Sequence, residues 1–121
     1  MLAPNDYTAH YDLGALAILE EKWIDCEKHL RSALGVDPKS AEAHNTLGSL
    51  YLRRGDLDKA QAAFLEATDL APQFAGAYYN LGLVFRQQKK NREAAKFFQQ
   101  ALDRDPQFNA AREALKRLER P

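Results

Sequence analysis

The chain has 121 residues, of which 45% are hydrophobic and 28% charged, the composition of a single soluble globular domain. Seventeen basic residues balance seventeen acidic ones, so no overall charge favours nucleic acid or an anionic membrane as the partner. One cysteine excludes an internal disulfide and a CxxC metal site, and no apolar run is long enough for membrane insertion.

The main landmarks of the chain recur every 34 residues. Prolines occupy one column of this repeat, and glycines directly preceded by leucine occupy another. The two columns are Pro4, Pro38, Pro72 and Pro106, and Gly14, Gly48 and Gly82. Such a period is typical of stacked repeats, in which each unit buries its apolar face against its neighbours. Arrays of this kind present an extended surface and seldom form a catalytic pocket.

The first residues, 1–6, allow two interpretations. Leu2-Ala3-Pro4 matches Leu70-Ala71-Pro72 by column, which predicts that the chain starts at the end of an earlier repeat. Alternatively, the segment begins a helix with Asp6 as its N-cap. These residues also lack the basic and apolar segments of a signal peptide, and the sequence therefore predicts a cytoplasmic location.

Three blocks follow, 7–40, 41–74 and 75–108, and each contains two segments with helical spacing of apolar residues. No segment alternates like a strand. The remainder, 109–121, continues the first-helix columns but places Arg112 and Lys116 where the blocks have an aromatic or histidine and a glycine. The predicted fold is all-α, an α-solenoid of three helix-turn-helix units closed by a C-terminal capping helix.

The glycine column falls in the middle of predicted helices, where glycine costs about 1 kcal/mol relative to alanine. A close approach of the second helix in each unit is the expected compensation. The residues expected to face the glycines are the small side chains Cys26, Ala60 and Ala94.

These columns resemble the tetratricopeptide repeat, whose motif is W-x2-L-G-x2-Y, then A-x3-F, then P. The second block supplies His44, Leu47-Gly48, Tyr51, Ala60, Phe64 and Pro72. The third supplies Tyr78, Leu81-Gly82, Phe85, Ala94, Phe98 and Pro106, and the first is degenerate. The resemblance implies a right-handed superhelix whose first helices line a concave groove.

By the same resemblance, eleven residues are expected to line a partner-binding groove. They are Tyr11, Asp12, Ile18, Asn45, Thr46, Leu52, Arg53, Tyr79, Asn80, Leu83 and Arg86. Tyrosine and leucine are expected to anchor the ligand, the amides and Thr46 to bond its polar groups, and the two arginines to select acidic character. The carboxylate-clamp columns of chaperone-binding members carry none of the family's residues, which makes a chaperone C-terminal tail an unlikely ligand. These columns hold Tyr11, Ala15, Thr46, Gly76 and Asn80.

Candidate catalytic and metal-binding residues have simpler interpretations. His10 and His44 share a column with Tyr78, which predicts packing rather than metal binding. Cys26 and His29 would form only half a zinc site, and Cys26 occupies the small-residue column. The sequence predicts no catalytic residue, no metal and no cofactor.

A basic run surrounds the break between the two helices of the third block. Arg86, Lys89, Lys90 and Arg92 occur with no acid among residues 82–92, and Arg53 and Arg54 precede the corresponding break in the second block. One interpretation is that these cations oppose helix dipoles at C-termini. The other is a rim that meets an acidic segment of a partner.

The predicted function is a non-catalytic protein–protein interaction module that binds a peptide segment or helix in its groove, within a larger multi-repeat or multi-domain protein. No nucleic acid or membrane partner is expected. The alternative is a structural scaffold that self-associates end to end, making a homo-oligomer through the less covered first unit (Ala9, His10, Leu13 and Ala17).

Overall fold

The computed structural model describes residues 23–119, which form six consecutive α-helices with no strand in that range. The helices are α1 (Trp23–Val36), α2 (Ala41–Arg54), α3 (Leu57–Leu70), α4 (Ala75–Gln87), α5 (Asn91–Arg104) and α6 (Asn109–Glu119). The pairs α2–α3 and α4–α5 fall within blocks 41–74 and 75–108, and the all-α helical-repeat fold is confirmed. The unit boundaries and the capping role of α6 stay predictions.

Helix α2 shows how the local sequence sets the ends of a unit's first helix. Its first turn is capped by Ser40, whose Oγ accepts a hydrogen bond from the N–H of Ala43 at 3.1 Å. It ends at Gly55, which adopts a left-handed φ of 83°. There the N–H of Gly55 donates to the carbonyl of Leu52 and that of Asp56 to Tyr51. The break that the sequence places after Arg53 and Arg54 is therefore confirmed and begins at Gly55.

The break between α4 and α5 has the same geometry but a different sequence. Lys89 occupies the position of Gly55, with a φ of 62°, and is the non-glycine residue of the described range with a positive φ. Its N–H donates to Arg86, and that of Lys90 donates to Phe85, as at the earlier break. Left-handed backbone costs a non-glycine residue about 1–2 kcal/mol, so this turn is strained.

The glycines of the first helices contact aromatic rings of the second helices. A Cβ on Gly48 would lie 2.6 Å from the ring of Phe64, and one on Gly82 would lie 2.5 Å from the ring of Phe98. The predicted close approach is therefore confirmed, but the nearest atoms belong to phenylalanines one helical turn after Ala60 and Ala94, not to those small residues. Both phenylalanines are completely buried.

Replacing Gly82 by alanine tests this packing. Although alanine favours a helix, the added methyl group overlaps a buried ring, so we expect the free energy of unfolding to fall by about 1–2 kcal/mol. Gly35 is the matched control because a Cβ at that position would have no packing neighbour within 4 Å. Gly35→Ala should raise stability by up to about 1 kcal/mol. Urea denaturation of both variants measures the difference, and an equal response would contradict the packing account.

Replacing Lys89 by glycine tests the strain at the second turn. Glycine populates the left-handed region without steric cost, so Lys89→Gly should raise the free energy of unfolding by about 1 kcal/mol. Thermal denaturation followed by circular dichroism measures this change. A lower melting temperature would show that the lysine side chain stabilises the fold.

Candidate functional site

Side chains at one position of the 34-residue repeat bond to the turns that precede α2, α4 and α6. The Tyr78 hydroxyl donates to the carbonyl oxygen of Pro72 at 3.1 Å, and Nε2 of His44 lies 3.0 Å from the carbonyl oxygen of Pro38. The Arg112 guanidinium makes the equivalent bond to Pro106. His44 therefore has a structural role, and the exposed Arg112 shares it. The repeat pattern shows that these three residues are equivalent, but it does not show that each bonds to the carbonyl of the preceding proline.

Two of the predicted groove residues join neighbouring first helices directly. Nδ2 of Asn80 on α4 donates to Oδ1 of Asn45 on α2, at 2.9 Å. Each side-chain amide has two N–H groups and an oxygen, so the pair keeps further donors for a ligand. Thr46 Oγ1 donates to the Glu42 carbonyl one turn earlier on its own helix, at 2.9 Å.

Four other predicted groove residues line a single cleft between the C-terminal ends of α2 and α4. The cleft has a volume of about 290 Å³ and is lined by Leu52, Arg53, Leu83, Arg86 and Gln87. The leucines are half-buried, whereas both arginines are exposed. We call this surface the basic cleft. It has an apolar floor and a cationic edge, and the ligand-binding roles of these residues stay predictions.

Aromatic rings support both arginines of the basic cleft. The guanidinium carbon of Arg53 lies 5.2 Å from the ring centre of Trp23, and that of Arg86 lies 5.9 Å from the ring centre of Phe98. Contacts of this kind restrict the position of a guanidinium.

The remaining predicted groove residues have different surroundings. Tyr79 is half-buried, with its ring centre 5.6 Å from that of Phe98 and 5.1 Å from that of Phe108. Its ring therefore packs within the fold as well as bordering the groove. Tyr11, Asp12 and Ile18 lie outside the described residues.

A polar network that the sequence did not reveal joins α1 to α2. The Glu27 carboxylate accepts hydrogen bonds from Arg31 at 2.9 Å, from the Tyr51 hydroxyl at 3.1 Å and from Arg54 at 3.2 Å. These bonds, with that from Arg31 the largest cause, lower the pKa of Glu27. In the sequence, only the i,i+4 spacing of Glu27 and Arg31 could have indicated part of this network. The equivalent positions one repeat later are Gln61, Leu65, Phe85 and Gln88, so this network is specific to one junction.

The chemistry of this network does not favour catalysis. Glu27 borders a depression of about 550 Å³, but its lowered pKa keeps it ionised at neutral pH and unable to act as a general acid. Burial, and secondarily the charge of Glu27, raises the pKa of the adjacent Cys26 thiol to about 11. A thiol with such a pKa is a poor nucleophile. The predicted burial of Cys26 is confirmed.

Residues 23–119 contain neither a cluster of metal ligands nor a membrane span. Within that range, no three His, Cys, Asp or Glu side chains are grouped so that they could hold a metal ion. None of the helices there combines the length and the apolar character that a membrane span requires.

Acidification tests the network at the junction of α1 and α2. Because the pKa of Glu27 is lowered in the folded state, its contribution to stability is present above its ordinary value of 4.5 and is lost as the pH falls below that value. Glu27→Gln should lower the free energy of unfolding by about 1–2 kcal/mol at pH 7, and the difference from the parent should shrink toward pH 3. Urea denaturation across this range measures both. A difference independent of pH would mean that the carboxylate charge plays no part.

Comparison with protein families gives a match to the tetratricopeptide repeat at residues 27–67 and 45–107. Comparison of the sequence with curated proteins found no match.

Solved structures similar to the chain have the same repeat fold. The TPR domain of Arabidopsis OM64 superposes with a TM-score of 0.88 at 21% identity, over 93% of each chain. The first TPR of Spaghetti (RPAP3), bound to an HSP90 peptide, has a TM-score of 0.88 at 18% identity, over 97% of this chain and 93% of that one. YrrB, described as a TPR protein with an unusual peptide-binding site, has a TM-score of 0.84 at 25% identity, over 92% of this chain and 57% of its own.

Proposed function

The chain belongs to the tetratricopeptide repeat family, and from that membership we propose that it binds a peptide segment or helix of a partner protein in the groove lined by its first helices. Members of this family are generally non-catalytic interaction modules. Of the similar structures, the first TPR of Spaghetti is bound to a peptide, and YrrB is described as having a peptide-binding site. The observation that carries the proposal is the basic cleft, where residues from two successive units meet.

The basic cleft supplies two kinds of contact to a ligand. Leu52 and Leu83 offer a half-buried apolar floor, on which an apolar side chain of the partner loses its contact with water. Arg53 and Arg86 offer forked donors that match a carboxylate. The proposed ligand therefore combines an apolar residue with acidic character.

The amide pair supplies a third contact farther along the groove. Asn80 lies three residues before Leu83 on α4, which places the amide pair about one helical turn from the basic cleft. The remaining donors and acceptors of Asn45 and Asn80 suit the peptide groups of an extended ligand. Tyr79 adjoins this pair in sequence, and we propose that the exposed part of its ring borders the same ligand path.

A chaperone tail is not the ligand that we propose. The HSP90 peptide belongs to the Spaghetti structure, and at 18% identity that similarity supports the fold alone. Of the clamp columns within the described residues, Gly76 has no side chain, and Thr46 and Asn80 already make hydrogen bonds within the protein. A terminal carboxylate would find no cation in these columns.

The alternative is a scaffold that self-associates without a peptide ligand. On α6, the exposed side chains include Arg112, Glu113, Lys116 and Arg117. A charged surface of this kind disfavours stacking of a second copy at the C-terminal end. The first-unit residues on which the alternative depends, Ala9, His10, Leu13 and Ala17, lie outside the described range.

Charge reversal in the basic cleft tests the proposed function. A partner captured from lysate by the parent should be lost by Arg53→Glu with Arg86→Glu, because both substitutions repel an acidic ligand. Lys96→Glu with Lys116→Glu is the matched control, since it changes the net charge equally at exposed positions on α5 and α6. Captured proteins are quantified by mass spectrometry, with helix content and melting temperature checked for each variant.

We expect at least a tenfold loss in the cleft variant and less than a twofold change in the control. Equal capture by all three proteins would exclude the groove as the binding surface. Sedimentation equilibrium over a hundredfold range of concentration addresses the alternative, and oligomers unaffected by the cleft variant would support a scaffold.

A further inference from the structure

The turn between α4 and α5 differs from that of the preceding unit at two positions, although the N-cap residue of the second helix makes no side-chain cap hydrogen bond in either unit. Where the earlier turn has Gly55-Asp56, this turn has Lys89-Lys90. Lys89 takes the left-handed conformation that Gly55 adopts without strain. Lys90 is the N-cap residue of α5 and makes no side-chain cap hydrogen bond, because an ammonium group has no acceptor for the free N–H groups of a helix start.

These two lysines make few contacts within the fold. Both are exposed, and neither takes part in an ion pair within residues 23–119. Lys89 has no ring contact in that range, and the Nζ of Lys90 lies 5.9 Å from the ring centre of Phe85. Local rules broken without a gain in stability are expected at functional sites.

Helix dipoles do not explain the charges around this turn. A cation at the C-terminus of α4 is favourable, which accounts for Arg86. However, Lys90 and Arg92 lie at the N-terminus of α5, where the dipole disfavours positive charge. Arg86 and Arg92 are also exposed and form no ion pair in the described part of the chain, whereas Arg31 and Arg54 both pair with Glu27.

We propose that this turn extends the basic cleft into a strip that binds an extended acidic segment of a partner, and that Lys89 and Lys90 determine this specificity. The inference rests on the proposed function. The basic cleft, at about 290 Å³, suits one apolar side chain of the ligand better than the face of a helix. Carboxylates that follow this residue then meet Arg86, Lys89 and Lys90.

The spacing of the cations sets the spacing of the ligand's acids. Lys90 follows Arg86 by four residues, so their Cα atoms are at most about 14 Å apart. An extended segment covers that distance in about four residues. The ligand is therefore an apolar residue followed, within four positions, by two or more aspartates or glutamates. Several side-chain carboxylates match these dispersed charges better than one terminal carboxylate.

Restoring the sequence of the earlier turn tests the inference, because stability and binding should change in opposite directions. Lys89→Gly with Lys90→Asp relieves the strain and replaces a cation at the N-terminus of α5 by an acid, so its melting temperature should rise, while its affinity for acidic peptides should fall. Lys96→Gln with Lys116→Glu is the control, since it removes the same three units of charge elsewhere. Lys89→Asn is a further variant that is neutral and tolerates left-handed backbone.

Ligands are obtained by selecting a displayed library of random twelve-residue peptides on the parent protein. The enriched peptides are synthesised with blocked termini, and their affinities are measured by fluorescence polarisation at low and high salt. We expect the enriched sequences to contain an apolar residue followed, within four positions, by two or more aspartates or glutamates. The affinity of the enriched peptides should fall at least tenfold for the variant with Lys89→Gly and Lys90→Asp. It should fall severalfold for Lys89→Asn and less than twofold for the control.

The outcomes separate this inference from the proposed function. The inference would be overturned if the enriched peptides had no acidic residues, or if the variant with Lys89→Gly and Lys90→Asp bound them as tightly as the parent does. If those peptides still lose binding in the variant with Arg53→Glu and Arg86→Glu, the proposed function stands. If no peptide is enriched over a blank surface, both are overturned.

Discussion

The contact between a mid-helix glycine and a buried phenyl ring sets the spacing on which the remaining structure depends. Since Gly48 and Gly82 have no Cβ, the rings of Phe64 and Phe98 lie against the backbone of the first helix. Each ring fills the space between the two helices of its unit and is completely buried there. A fixed separation within each unit lets the next unit stack in the same manner, which brings first helices side by side and forms a groove between them.

Polar side chains then define how the successive units meet. The bonds from His44, Tyr78 and Arg112 to proline carbonyls fix the turns that lead into the first helices. Asn80 and Asn45 link two of those helices across the groove. The bonds of Tyr78 and Asn80 are partly buried and satisfy polar groups with limited access to water, whereas those of His44 and Arg112 are exposed. The geometry of the groove is thus a consequence of the same contacts that stabilise the stack.

The repeat units differ in sequence at positions that the packing of the helices does not constrain. The Glu27 network joins α1 to α2, yet the next unit replaces its members with residues that cannot form it. The turn between α4 and α5 has Lys89 in the left-handed conformation that Gly55 adopts in the preceding unit. The packing contacts and the proposed binding residues therefore occupy different columns of the repeat, so the latter can change while the framework is kept.

The sequence by itself determined the helical repeat, its period, the helix breaks and the buried columns, because glycine, proline and apolar spacing act locally and recur in each unit. It also placed Leu52, Arg53, Leu83 and Arg86 on groove columns. Only the tertiary structure decided that these four line one cleft, that Tyr79 packs on Phe98 and Phe108, and that a ring rather than Ala60 or Ala94 lies against each glycine. Such contacts join residues from different helices, and their distances depend on the packing of whole units, which no local pattern records.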